Sequence, residues 1–259
     1  MNPTTYGLEF AGGLFLSMLL LLEAGRRIAI RRLAQDPDGA HQGFSVVEGA
    51  VFSLLGLLIA FTFSGAATRF DGRRQLIVEE ANSIGTAYLR IQLLPASAQP
   101  GLRKLFRQYL DARLETYRNL PGDIPAAQAE WTRSLKLQDE IWSSAVAACG
   151  DSGSQPAHML LLPALNQMID ITAVRTEATK IHPPLVIFVM LGLLSLAASL
   201  LAGYGMAGGR LRSWIHILCF ASVVASTVYV IVDIEYPRFG LIRVDGADRV
   251  LSELRESMK

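Results

Sequence analysis

Four stretches of the chain are apolar almost without interruption, and between the second and third the pattern changes to a helical period. The apolar stretches cover about residues 6–22, 46–67, 184–204 and 214–232. A helix crosses the hydrocarbon core of a bilayer with about 20 such residues, so each stretch predicts a transmembrane helix. Tyr204, Trp214 and Tyr236 stand near span ends, where amphipathic rings prefer to lie. The first stretch does not read as a cleaved leader: no Lys or Arg precedes it, Glu9 stands near its start, and Arg26 and Arg27 follow it.

From residue 68 to residue 182 the apolar positions recur at spacings of three and four, and strand alternation is lacking. Four helices are expected here. One continues span two to Leu94, where Pro95 ends it. A second covers 102–120, with Leu102, Phe106, Tyr109 and Leu114 inward and Arg103, Arg107, Asp111 and Glu115 outward. A third covers 126–149, with Trp131, Leu135, Trp142 and Ala145 on its apolar side. The stretch GDSGSQ at 150–155 predicts a loop. A fourth helix, 157–181, meets span three at His182-Pro183-Pro184. The predicted architecture is an all-α integral membrane protein. Its four transmembrane helices are joined to a four-helix water-facing bundle, formed partly by extensions of spans two and three. The segments are 1–67 for the first two spans, 68–183 for the helical water-facing domain, 184–235 for spans three and four, and 236–259 for a C-terminal tail. No flexible linker separates the parts.

Composition narrows the function classes. Of 259 residues 51% are hydrophobic and 18% charged, mean hydropathy is +0.33 and net charge is +1. These values exclude a disordered chain and give no basic excess for nucleic acid. Cys149 and Cys219 predict no disulfide, since Cys219 lies within span four. The four histidines are scattered, so no metal site is expected, and no cofactor-binding or hydrolase motif is present. No enzyme activity is predicted. Arg26, Arg27, Arg31 and Arg32 after span one, with Arg210 and Arg212 after span three, place both short loops in the cytoplasm and the domain 68–183 outside. Arg69, Arg73 and Arg74 at the far end of span two argue for the reverse.

Span two carries the most informative pattern. One line along it reads Gly49, Ser53, Gly56, Ala60, Ser64, Thr68, Gly72, Gln75, Glu79, Asn82, Thr86, Arg90. Every member is small or polar, and the line passes from the membrane into the charged extension. Beside it Phe70, Arg74, Ile77, Ala81, Ile84, Tyr88 and Ile91 form an apolar seam with Arg74 as its misfit. Small residues four apart permit close helix packing in lipid. A face that becomes Gln, Glu, Asn, Thr and Arg also suits the wall of a water-filled path. Both readings stand at this point. Span four has a second polar line, His216, Cys219, Ser222, Ser226, Tyr229 and Asp233, for which interhelical hydrogen bonding is the simpler account. Asp233 and Glu235 fall at the membrane edge, within reach of water or an arginine. Asn166 and Asp170, four apart on the fourth bundle helix, are expected to bond Arg73 or Arg90, or to lie on a solvated face.

The segments GLLIAFTFSGAATRFDGRR, EEANSIGTAYLR, LLPALNQMIDIT and DIEYPRFGLIRV resemble the bacterial bestrophin-like membrane proteins, across nearly the whole chain. More distantly the chain is similar to the bestrophin ion channels, whose second helix lines the pore of a pentamer and ends in a signature similar to Thr68-Arg69-Phe70. The resemblance implies a homo-oligomer, with a pentamer as the family's number, in a bacterial inner membrane, with inorganic ions as partners beside the lipid. It implies an apolar pore constriction at Leu57 and Phe61. Ser53, where a third bulky ring is expected, departs from the pattern. Ser53, Ser64, Thr68, Gln75, Glu79, Asn82, Thr86 and Arg90 then line the pore or its vestibule, and Arg69, Arg73 and Arg74 set the charge at its mouth. No acidic cluster resembles a calcium clasp, and the resemblance puts 68–183 in the cytoplasm, against the short loops. The competing reading is a non-conducting membrane scaffold or sensor whose helical domain binds a partner protein.

Overall fold

A computed structural model describes residues 3–35, 44–120, 122–152, 155–208 and 214–258. Arg210 and Arg212, His41, Pro121 and Gly209 lie outside the described residues. The chain forms α1 (Pro3–Gln35), α2 (Phe44–Arg90), α3 (Gln99–Asn119), α4 (Ile124–Ser152), α5 (Gln155–Ala178), α6 (Leu185–Gly205), α7 (Trp214–Glu235) and α8 (Asp245–Ser257). A 3-10 turn, Ile91–Leu93, ends α2 just before Pro95. Among the described residues there is no strand. The helices divide into two compact units, Met1–Phe70 with His182–Ile242, and Asp71–Ile181 with Arg243–Lys259. The 47-residue α2 contributes its first part to one and its second part to the other.

In the first unit α1, α6 and α7 interlock. A methyl group on Gly203 would overlap the Leu22 carbonyl of α1, and one on Gly25 would overlap the Leu200 carbonyl of α6. The α1 and α6 backbones therefore touch, which glycine permits and any side chain prevents. Leu14, Met18, Leu22, Leu191, Ala198, Ile217, Val228 and Ile231 fill the space between the three helices. The Ser195 and Ser199 hydroxyls are buried and donate to the carbonyls of Leu191 and Ser195, both at 2.7 Å. That face of span three is packed within the unit, with its hydroxyls satisfied by its own backbone. The first part of α2 joins through Leu55 and Ala66 and through Phe52, whose ring stands edge-on to Phe220 with centroids 5.5 Å apart.

The second unit is built from the rest of α2 with α3, α4, α5 and α8. Ile77, Ala81, Ile84, Tyr88 and Ile91 of α2 are buried, as their spacing predicts. Four expectations need correction. On α3 the buried position beyond Tyr109 is Arg113, fully enclosed, while Leu114 is half-buried. On α4 the buried line is Ala127, Ser134, Gln138, Ile141 and Ala145, and Leu135 is 40% exposed. Leu102, Phe106, Tyr109 and Ala145 are buried as expected, and each line departs from the apolar pattern where a buried polar member finds partners. Gln138 donates to the Tyr109 hydroxyl at 3.0 Å and to the Thr172 hydroxyl at 3.2 Å, and Ser134 donates to the Trp131 carbonyl at 2.7 Å. The expected loop at 150–155 is shorter, since α4 continues to Ser152 and α5 begins at Gln155, with 153–154 outside the described residues. The stretch 236–259, expected as a tail, contains α8. Its Leu251 is buried, and its Arg255 donates to both oxygens of Asp111 on α3, at 2.7 and 3.0 Å.

Among the described residues five helices are long and apolar enough to cross a membrane: Gly7–Gln35, Phe44–Leu93, Ala157–Ala178, Leu185–Gly205 and Trp214–Glu235. Four contain the predicted spans. The fifth, within α5, was read from sequence as a water-facing helix.

Candidate functional site

The face that α2 leaves uncovered is the candidate site. In the first unit Gly49, Ser53, Gly56, Ala60, Ser64 and Thr68 are all exposed. Beside them Leu57 is 52% exposed and Phe61 68%. None of α1, α6 or α7 covers this line, although Leu55, Thr62 and Ala66 on the other side of α2 are buried. Thr68 turns its hydroxyl back to the Ser64 carbonyl at 2.9 Å, which satisfies it within the helix. The polar line of α7 is similarly exposed at His216, Cys219, Ser222 and Ser226.

In the second unit the same α2 line borders an open groove of about 580 Å³, lined by Glu79, Asn82, Ser83 and Thr86 of α2 and by Pro163, Asn166, Gln167 and Asp170 of α5, with Ile171 and Val174. Gln75 is exposed one turn before and donates to the Glu79 carboxylate at 2.9 Å. Arg90 closes the line by donating to the Leu160 carbonyl at 2.6 Å. Pro163 lies inside α5, where its missing N–H removes the helical donor to the Met159 carbonyl. Asn166 and Asp170 thus face the groove. The expected pairing with Arg73 or Arg90 gives way to backbone carbonyls as those arginines' partners.

The three arginines expected at the pore mouth have different surroundings. Arg69 donates through Nε to Glu235 at 2.8 Å, and its Nη2 meets the same carboxylate oxygen. Glu235 is 1% exposed, and the His182 Nδ1 lies 3.4 Å from its other oxygen, with the imidazole stacked on Tyr236. Arg73 is buried and donates to the carbonyls of Ala178 at 3.2 Å and Ile181 at 2.9 Å, at the end of α5. Arg74 is exposed and lies 3.4 Å from Asp71. Asp233 is buried rather than at a water-facing edge: it accepts from Leu241 N at 3.0 Å, Ile242 N at 2.7 Å and the Tyr229 hydroxyl at 3.1 Å. It holds the chain reversal after α7, and a side chain on Gly240 would collide with its carboxylate.

Sequence reasoning missed a buried charge cluster in the second unit. Glu80 and Arg113 are both fully enclosed, with Arg113 Nε 2.6 Å from Glu80 Oε1. Arg175 of α5 donates to the other oxygen of Glu80, and to Asp248 of α8 at 3.0 Å. The Arg113 guanidinium lies over the rings of Tyr117, at 4.8 Å, and Trp131, at 4.9 Å. Burial disfavours its charge, but the neighbouring Glu80 carboxylate more than offsets this, and its pKa lies above the ordinary arginine value. The spacing Phe106, Tyr109, Arg113, Thr116 is the signal that existed, four residues at intervals of three and four with a charge among them. Among the described residues no group of His, Cys, Asp and Glu could hold a metal ion.

The sequence pattern of the Bestrophin-like domain matches residues 15–247. The chain belongs to the Bestrophin-like family. Crystal structures of two single-residue variants of a bacterial bestrophin homologue from Klebsiella pneumoniae share the fold, with TM-scores of 0.68 and 0.70. Both are 13% identical in sequence. The matches cover 93% and 94% of this chain and 98% of each bestrophin homologue chain. A further membrane protein structure matches with a TM-score of 0.65 at 16% identity, over 93% of this chain and 98% of that one. None of the curated proteins matches. The multi-pass membrane character and all-helical fold of this chain agree with its place among bestrophin-like proteins.

Proposed function

We propose that the protein is an ion channel of the bacterial inner membrane, formed by several copies of the chain around a path lined by α2. The observation that carries this reading is the line of small and polar residues that runs the length of α2, exposed from Gly49 to Gln75 and bordering an open groove from Glu79 to Thr86. A single such face cannot enclose a path, so a closed homo-oligomer is required. Family membership supports conduction as the function. Leu57 and Phe61 form the apolar constriction, where a narrow dry ring gates by excluding water. Ser53, Ser64 and Thr68 continue the lining, and Gln75, Glu79, Asn82, Thr86 and Arg90 line the vestibule. Arg69 acts there through its pair with Glu235 rather than as an unshielded pore-mouth charge, and Arg73 and Arg74 sit within their own contacts.

Four helices span the bilayer in this reading: α1, the first part of α2, α6 and α7. We assign α5 to water because it carries Asp170 and Arg175 and shares a buried charge cluster with α2, α3 and α8. The test is ion flux through the purified protein in planar bilayers. Phe61→Ala and Leu57→Ala each raise the current in a protein that keeps its oligomeric size. Silence from a well-formed oligomer supports a scaffold or sensor instead.

A further inference from the structure

Two glutamates stand side by side on α2, and only one is enclosed: Glu80 is 0% exposed, while Glu79 borders the groove. Successive helical residues point about 100° apart, so a rotation of that size carries Glu80 to the place that Glu79 holds and turns Ala81 into the enclosed site. Apolar burial separates the two seatings weakly. Ile77, Ala81 and Ile84 are buried, but Val78 and Leu89 are apolar and lie outside at 41% and 64% exposure. We propose that Glu80 is a positioning residue that fixes which face of α2 looks outward. Its carboxylate, clasped between Arg113 of α3 and Arg175 of α5, pins the rotation of α2 so that Glu79, Asn82 and Thr86 line the groove.

An apolar seam defines a line along which a helix can turn or slip. Two guanidinium groups converging on one carboxylate from separate helices define a point. Arg113 takes Oε1 at 2.6 Å, Arg175 takes Oε2, and the Tyr117 hydroxyl lies 3.4 Å from Oε2. Rotating Glu80 away leaves two buried guanidinium groups with the single carboxylate of Asp248, which costs far more than exposing a valine or leucine. The cluster is not arranged for greatest stability, since Arg113 Nη1 is buried without a hydrogen-bond partner. Buried ion pairs add little net stability, and their best-attested use is to specify register. The functional meaning of the pinned face rests on the reading of α2 as a pore lining, but the pin itself is tested without current.

The experiment uses the full chain in detergent with Cys149→Ala and Cys219→Ser, and a single reporter, Ala81→Cys or Asn82→Cys. A water-soluble maleimide labels the reporter at 82, which is exposed, faster than the one at 81, which is 4% exposed. In the double variant Glu80→Met/Arg113→Met, which keeps the Arg175–Asp248 pair, the protein still melts cooperatively at or above the parental temperature. The 82-to-81 rate ratio falls about tenfold or more, as coupling within one network allows. The control Glu79→Gln leaves the ratio unchanged. A folded double variant with an unchanged ratio overturns the proposal. So does a double variant that no longer folds, since the cluster then maintains the fold rather than the register, and so does a control that shifts the ratio equally. None of these results bears on whether the protein conducts.

Discussion

Asp233 and Glu235 lie two residues apart at the end of α7, are both buried, and serve different ends. Asp233 holds a chain reversal through backbone donors, and Glu235 ties α7 to the end of the first part of α2 through Arg69. Glu235→Gln is expected to lower stability by about 1.5–3 kcal/mol, the range for hydrogen bonds involving a charged group. Thermal unfolding in detergent checks this, and an unshifted transition argues against the pair. At the α1–α6 crossing the critical residue carries no side chain. Gly203→Val forces apart two backbones that now touch, at a cost of about 1–3 kcal/mol or more from overpacking. The same melt reads it, and a neutral result would mean that the close approach is dispensable.

At the scale of elements, legibility in the sequence followed chemistry. The seam of α2 was readable because its buried members are apolar at regular spacing. The lines on α3 and α4 were readable only in part, because Arg113, Ser134 and Gln138 are buried polar groups whose partners come from distant parts of the chain or from their own backbone. Periodicity cannot see such partners. The helix α8 was hidden by its charge, though Leu251, Leu254 and Met258 already stood at intervals of three and four. For α4 the two lines make opposite predictions. Ile141→Ala is expected to cost about 2–5 kcal/mol, since it empties an enclosed site. Leu135→Ala stays within about 0.5 kcal/mol, as surface substitutions do. Denaturant unfolding of the two variants distinguishes them, and equal losses would restore the line read from sequence.

For the whole molecule, the uncovered face is the feature that the fold of one chain does not explain. The bestrophin-like fold leaves small residues outward in the apolar unit and carboxylate and amide groups outward in the other. Sequence made this line visible, since small and polar residues at intervals of three and four need no tertiary partner to be recognised. Sequence put Glu235 within reach of an arginine but could not say which one, and its pairing with Arg69 changes the expected field beside that face. The most direct test places a thiol on that face. In a background of Cys149→Ala and Cys219→Ser, Ser64→Cys protein in a planar bilayer is exposed to a charged methanethiosulfonate reagent while current is recorded. The account predicts that the reagent alters the current in Ser64→Cys channels and leaves the cysteine-free parent unaffected. Steady current through channels shown by mass to be fully modified at residue 64 would contradict it.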